Sequence, residues 1–136
     1  MSTMIFVNLP VKDLDRSVEF FTALGYTFNQ QFTDENATCM VISDTIYAML
    51  LVEPYFSTFT KKAVADTSAS TEAIIALALE SKSEVDRIAE AALAAGAETA
   101  KETVDESPMY TRSFYDLDGH HWELFWMDPA AVLPQS

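Results

Sequence analysis

The chain has 136 residues, 49% of them hydrophobic, with 8 Lys and Arg against 21 Asp and Glu and a formal net charge of −13. That length suits one domain with a substantial core. The acidic balance argues against nucleic acid and anionic membrane surfaces as partners, because both demand cationic patches.

A single cysteine, Cys39, excludes an internal disulfide framework and a thiolate metal cluster. No basic-then-apolar leader pattern is present, and no apolar run reaches the ~20 residues of a membrane span. The expectation is a cytoplasmic protein.

Met4 to Val11 is a short apolar run containing Pro10 and reads as an edge-type strand. Lys12-Asp13-Leu14-Asp15-Arg16-Ser17 opens a helix, with acidic residues in its first turn where they suit the dipole. Leu14, Val18, Phe21 and Leu24 form its expected apolar stripe, and Gly25 its C′ residue. Strands are expected at Tyr26–Phe32, Ala37–Ser43 and Thr45–Val52. The segment from Glu53 to Glu72 is a linker. Phe56, Phe59 and Lys61-Lys62 suggest a short helix in it, and Ser68 to Thr71 a loop.

The second half repeats the first. Ala73–Leu79 is an apolar strand. Ser81 to Ala95 is a helix capped by Ser81 or Ser83, with Val85, Ile88, Ala92 and Leu93 near one face, and Gly96 closes it. Strands follow at about Glu98–Glu102, Met109–Tyr115 and His121–Met127. Arg16 and Arg87 are 71 residues apart, as are Gly25 and Gly96. Duplication of a β-α-β-β-β unit is the simplest account. It predicts an α+β fold, with one module at about 3–53, a linker at about 54–72 and a second module at about 73–128.

Asp116-Leu117-Asp118-Gly119-His120-His121-Trp122-Glu123-Leu124 reads as an Asp-Gly turn feeding a strand. That strand carries one carboxylate, Glu123, among large apolar residues, and such a group is costly to bury without a partner. Alternation puts His121, Glu123 and Phe125 on one face and Trp122, Leu124 and Trp126 on the other. His120, beside the turn, is expected to be exposed.

Val11-Lys12-Asp13-Leu14-Asp15-Arg16-Ser17 after the first strand, the duplicated unit, and Asp116 to Leu124 together resemble the vicinal oxygen chelate superfamily. The resemblance covers residues 3 to 128. That superfamily includes glyoxalase I, extradiol dioxygenases, fosfomycin-resistance proteins and bleomycin-binding proteins. In character the chain is similar to small bacterial proteins described as predicted lactoylglutathione lyases. The resemblance implies a curved, partly open eight-stranded sheet with a groove, and a homodimer. It also implies a divalent metal (Zn, Ni, Mn or Fe) held by ligands from the first and fourth strand of each half. Here those positions carry Phe6, Ala48 or Leu50, about Ile74, and Glu123. Only the last is a metal-ligand type.

Strand parity then suggests a groove lined by Phe6, Asn8, Ala48, Leu50, Ile74, Ala76 and Ala78, with Asn8, His121 and Glu123 as polar points. Arg112 is either a clamp for a ligand carboxylate or phosphate or an ion-pair partner of Glu123, Asp116 or another acid. Tyr110 and Tyr47 are either hydrogen-bond donors to a ligand or core residues with a wet tip. Cys39 reads as a small core hydrophobe, and Met40, Met49, Met109 and Met127 as core fillers. No Ser-His-Asp or Cys-His arrangement can be built, so no catalytic residue is assigned.

The leading expectation is a protein that binds a small, partly apolar or aromatic molecule in its groove with no cofactor. One alternative is a lyase, isomerase or dioxygenase with a divalent metal on Glu123 and His121. Another is a protein interaction module.

Overall fold

A computed structural model describes residues 3–130, which divide after Asp66 into two compact units. The fold is α+β.

In the first unit, strand β1 (Ile5–Val11) leads into helix α1 (Leu14–Ala23). Asp13 caps the helix: its carboxylate accepts from the backbone N–H of Arg16 at 3.1 Å, satisfying one of the helix's orphan donors. Gly25, at φ 104, follows its end, a left-handed conformation that glycine adopts freely. Strand β2 (Thr27–Asn29), a 3-10 turn (Gln30–Phe32), β3 (Ala37–Val41) and β4 (Ile46–Val52) complete the sheet. The expected strand from Tyr26 to Phe32 is cut short at Asn29. Its side chain accepts from the Gln31 N–H at 2.9 Å and turns the chain into the 3-10 segment. The order is β1-β4-β3-β2, with β1 and β4 parallel and the other pairs antiparallel. Helix α2 (Glu53–Phe56) and a 3-10 turn (Ser57–Phe59) follow, where a short helix was expected.

The second unit has the same plan. Strand β5 (Ile74–Ala78) leads into α3 (Lys82–Ala94), capped by Ser81, whose hydroxyl accepts from the Glu84 N–H at 3.1 Å. Gly96, at φ 110, ends the helix. Then come β6 (Glu98–Thr99), β7 (Val104–Glu106), β8 (Met109–Tyr115) and β9 (His121–Met127). The order is β5-β9-β8-β6, with β7 also on β8; β5 and β9 are parallel.

The strand count is close to the eight expected: hydrogen bonding assembles a four-stranded and a five-stranded sheet. The extra strand, β7, arises because the chain after a shortened β6 folds back, pairing Val104 to Glu106 with Thr111 to Met109.

The stripe of α1 is also displaced. Ser17, Phe20, Phe21 and Leu24 are buried, whereas Leu14 and Val18 are half-buried. On α3 the buried residues are Val85, Ile88, Ala89 and Ala92. Cys39 and Met40 lie in the core, but Met127 is exposed. Burial pushes the Cys39 thiol above its ordinary range, consistent with an inert core residue. No described helix is long and apolar enough to cross a membrane.

Candidate functional site

Partners in a sheet register point to the same side, so the observed registers decide which side chains share a face. In the first unit Phe6 is level with Tyr47 and Asn8 with Met49. Phe6 is 45% exposed and stacks on Tyr47, with ring centroids 4.7 Å apart. Asn8 is exposed, and its side-chain amide donates to the Phe6 carbonyl at 3.1 Å.

Ala48 and Leu50 were expected on this face and are not there. They are level with Val7 and Leu9, and they are fully buried on the opposite side. Alternation along β4 was read correctly, but its phase against β1 was off by one residue.

In the second unit Ile74 is level with His121 and Ala76 with Glu123 across β5 and β9. Across β8 and β9, Tyr115 faces His121 and Ser113 faces Glu123. Ile74, Ala76, Ser113, Tyr115, His121 and Glu123 therefore share one face. Ile74 is 56% exposed and Glu123 half-buried. Ser113 and Tyr115 were missed from sequence. The short connection after Asp116 was the available signal, because it sets the pairing of Tyr115 with His121.

Tyr110 and Arg112 belong to the other face, level with Trp126 and Leu124. They meet α3. The Arg112 guanidinium donates to Asp86 at 3.1 Å and to Glu90 at 2.5 Å, and the Tyr110 hydroxyl donates to Asp86 at 2.5 Å. Arg112 is thus held by helical acids, not by Glu123 or Asp116, and neither Tyr110 nor Arg112 belongs with Glu123. The helical acids facing β8 were not singled out from sequence, because docking of α3 on the sheet is a long-range event.

His121 is 6% exposed, and its ring packs edge-on against Tyr115. Its Nε2 is buried without a hydrogen-bond partner among the described residues. Buried polar atoms are rarely left this way unless a water, ion or ligand completes them. Nothing among the described residues pairs with the Glu123 carboxylate either.

The preceding turn explains how these two groups are presented. Asp116 is buried and accepts from the N–H groups of Asp118 (2.9 Å) and His120 (3.0 Å) and from the Trp122 indole N–H (2.9 Å). Burial raises its carboxyl above the ordinary range, while His120, Trp122 and the backbone donors pull the other way. The indole bond turns Trp122 inward and so leaves His121 and Glu123 on the other face. Contrary to expectation His120 is buried, with 1% of its surface exposed and Nδ1 2.8 Å from a Glu72 carboxylate oxygen.

A divalent metal of the kind the resemblance implies takes three or more protein ligands. His121 and Glu123 supply two donors. No group of three His, Cys, Asp or Glu suited to a metal comes together among the described residues. The residues on this face do not fit such an ion, and no chemical step is derived through one.

These elements define a class: an α+β protein of two β-α-β-β-β units, each with a parallel first and last strand. Residues 3–43 match the family described as Bleomycin resistance protein-like N-terminal. No curated protein matches the sequence. Among solved structures, a hypothetical protein from S. aureus is 26% identical, with 93% of this chain and 95% of that chain covered and a TM-score of 0.77. A glyoxalase/bleomycin resistance protein/dioxygenase family enzyme from Burkholderia phytofirmans PsJN is 13% identical, covering 93% and 99% with a TM-score of 0.75. The fosfomycin resistance protein FosX from Listeria monocytogenes is 20% identical, covering 98% and 99% with a TM-score of 0.67. The chain thus shares its fold with these structures, and its residues 3–43 resemble the N-terminal part of bleomycin-resistance-like proteins.

Proposed function

We propose that this protein binds a small, partly apolar molecule against the face that carries His121 and Glu123, without a catalytic metal. The observation that carries this reading is the buried, unpartnered Nε2 of His121, two residues along the strand from an unpaired carboxylate. A ligand with a hydrogen-bonding group for each, and an apolar body for Ile74, Ala76 and Tyr115, satisfies both. Apolar lining with few fixed polar points is the usual make-up of a small-molecule site. Asn8 and Phe6 present a comparable polar-aromatic pair on their own sheet and are proposed as further contacts.

The proposed assembly is a homodimer. β1 is an edge strand, and Met4 just before it and Ile5 and Phe6 within it are exposed, a combination that proteins commonly cover. Sedimentation equilibrium tests that assembly.

The ligand reading is tested by thermal-shift screening of small aromatic and aliphatic metabolites. Hits are then titrated against wild type, His121→Leu and Glu123→Gln, with and without a chelator. Affinity is expected to fall about tenfold or more in each variant, as loss of a buried hydrogen bond predicts, and to be indifferent to the chelator. Stoichiometric metal in protein purified without chelator, lost in Glu123→Gln, sinks the metal-free reading in favour of a metal-dependent enzyme.

A further inference from the structure

Glu123 stands at a low point of its face. Its register neighbours are Ala76 on β5 and Ser113 on β8, both small. Larger groups stand one step away along the strand in each direction. Ile74 and Tyr115 are level with His121, and Phe125 follows Glu123 by two residues on the same face. Small side chains around the acid, with an aromatic ring beyond it at either end, leave a shallow seat for a flat molecule.

Two polar groups meet in this seat without partners. His121 is 6% exposed, and its Nε2 has no hydrogen-bond partner among the described residues. A buried polar atom of this kind calls for a group from outside the chain. The Glu123 carboxylate, half-buried, is unpaired among the same residues. Successive same-face residues of a strand are about 6.6–6.8 Å apart at Cα, so one compact group reaches both side-chain tips.

The charges on this face select the sign of that group. A carboxylate accepts hydrogen bonds and donates none. Arg112, the cation of β8, is turned to the opposite face and bound to Asp86 and Glu90. No Lys or Arg occupies a position on this face of β5, β8 or β9. An anion is therefore repelled, and a neutral N–H donor forfeits the charge-assisted bond. The ring quadrupoles of Tyr115 and Phe125 add to the preference for positive charge.

Resting on the reading of this face given above, we propose that its ligand is a planar organic cation: an amidinium or guanidinium on a flat apolar body. Two of its N–H groups fork onto Glu123, and a third donates to His121 Nε2. The body lies over Ala76, against Ile74.

The test titrates the full chain at pH 7 with benzamidine, its neutral isostere benzamide and its anionic counterpart benzoate, following backbone amide resonances. Benzamidine is expected to give saturable shifts centred on β5, β8 and β9. Benzamide should bind about tenfold more weakly, because it lacks the charge-assisted fork, and benzoate should not saturate. Glu123→Gln is expected to bring benzamidine down to the level of benzamide, and His121→Leu to weaken both. Equal affinities for benzamidine and benzamide, with both weakened in His121→Leu, would overturn the cationic class and leave the small-molecule reading of the face standing. Shifts spread over the acidic surface, or binding unchanged in His121→Leu, would place the probes elsewhere and count against both. Absence of saturable benzamidine binding, tighter binding of benzoate, or full benzamidine binding in Glu123→Gln would each overturn the proposal.

Discussion

Arg112 and Glu123 occupy opposite faces of the same sheet. Arg112 is level with Leu124 and Glu123 with Ser113 on adjacent strands. The guanidinium is therefore spent on Asp86 and Glu90 of α3, and the carboxylate keeps no internal cation. A chain with few basic residues has left an acid unneutralised on the face that also holds an unsatisfied imidazole nitrogen.

The imidazole yields the sharpest stability prediction. A buried polar atom without a partner costs about 1–3 kcal/mol relative to an apolar replacement. His121→Leu should raise the ligand-free protein's unfolding free energy, measured in urea, while reducing the stabilisation that a given ligand concentration confers. A residue kept only for packing would not show that opposition.

Arg112→Met should destabilise the protein without touching ligand binding. The Arg112 side chain is 18% exposed, but its partners are 48% and 66% exposed. Screening of those partners holds the expected loss to about 1–2 kcal/mol. Urea unfolding checks the loss, and unchanged affinity for any thermal-shift hit checks that Arg112 faces α3.

The Asp86 carboxyl is held below its ordinary value of 3.8, chiefly by the Tyr110 hydroxyl, against burial and with help from Arg112. A lowered carboxyl binds protons less tightly in the folded state than in the unfolded one. Its stabilisation is present above pH 3.8 and is lost as pH falls through the lowered value. Asp86→Asn should therefore be less stable than wild type at pH 7, and the gap should close in acid. Urea midpoints measured across that range decide it.

Asp116→Asn replaces a carboxylate that answers three N–H donors by an amide with one acceptor oxygen. One donor is then left facing an NH₂ group. The expected cost is about 1–3 kcal/mol, with a changed near-ultraviolet signal from Trp122, the indole bonded to Asp116 Oδ2. Loss of stability with an unaltered Trp122 signal would contradict the proposed role of that bond in aiming the strand.

Gly119 has φ 81, and a Cβ there would stand 2.6 Å from the Thr67 hydroxyl oxygen. Gly119→Ala suffers both from the left-handed backbone and from the clash, so a loss of at least about 1–2 kcal/mol is expected. Thermal unfolding measures it. A neutral result would mean that the Thr67 contact with the turn yields readily.

Much of the local structure was legible in the sequence. Asp13 and Ser81 act as caps, Gly25 and Gly96 end their helices, and the Asp-Gly turn precedes β9, all through bonds between residues a few positions apart. The parallel between the two units was visible in their constant offset. Alternation within β9 was equally clear: His121 and Glu123 share a face because side chains in a strand alternate.

Chain-distant pairing decided the rest. Alternation leaves the phase between strands open, and a one-residue change of register exchanges the faces. Only the pairing of Phe6 with Tyr47 shows that Ala48 and Leu50 are core. Only the docking of α3 gives Arg112 to Asp86 and Glu90. Glu72, 48 residues earlier, gives a partner to a histidine that sits buried beside a turn. The sequence by itself determined the duplicated α+β plan and the presence of one acidic residue in the last strand. The tertiary structure decided which groups stand beside that residue, because hydrogen bonds across strands, not neighbours along the chain, set which side chains share a face.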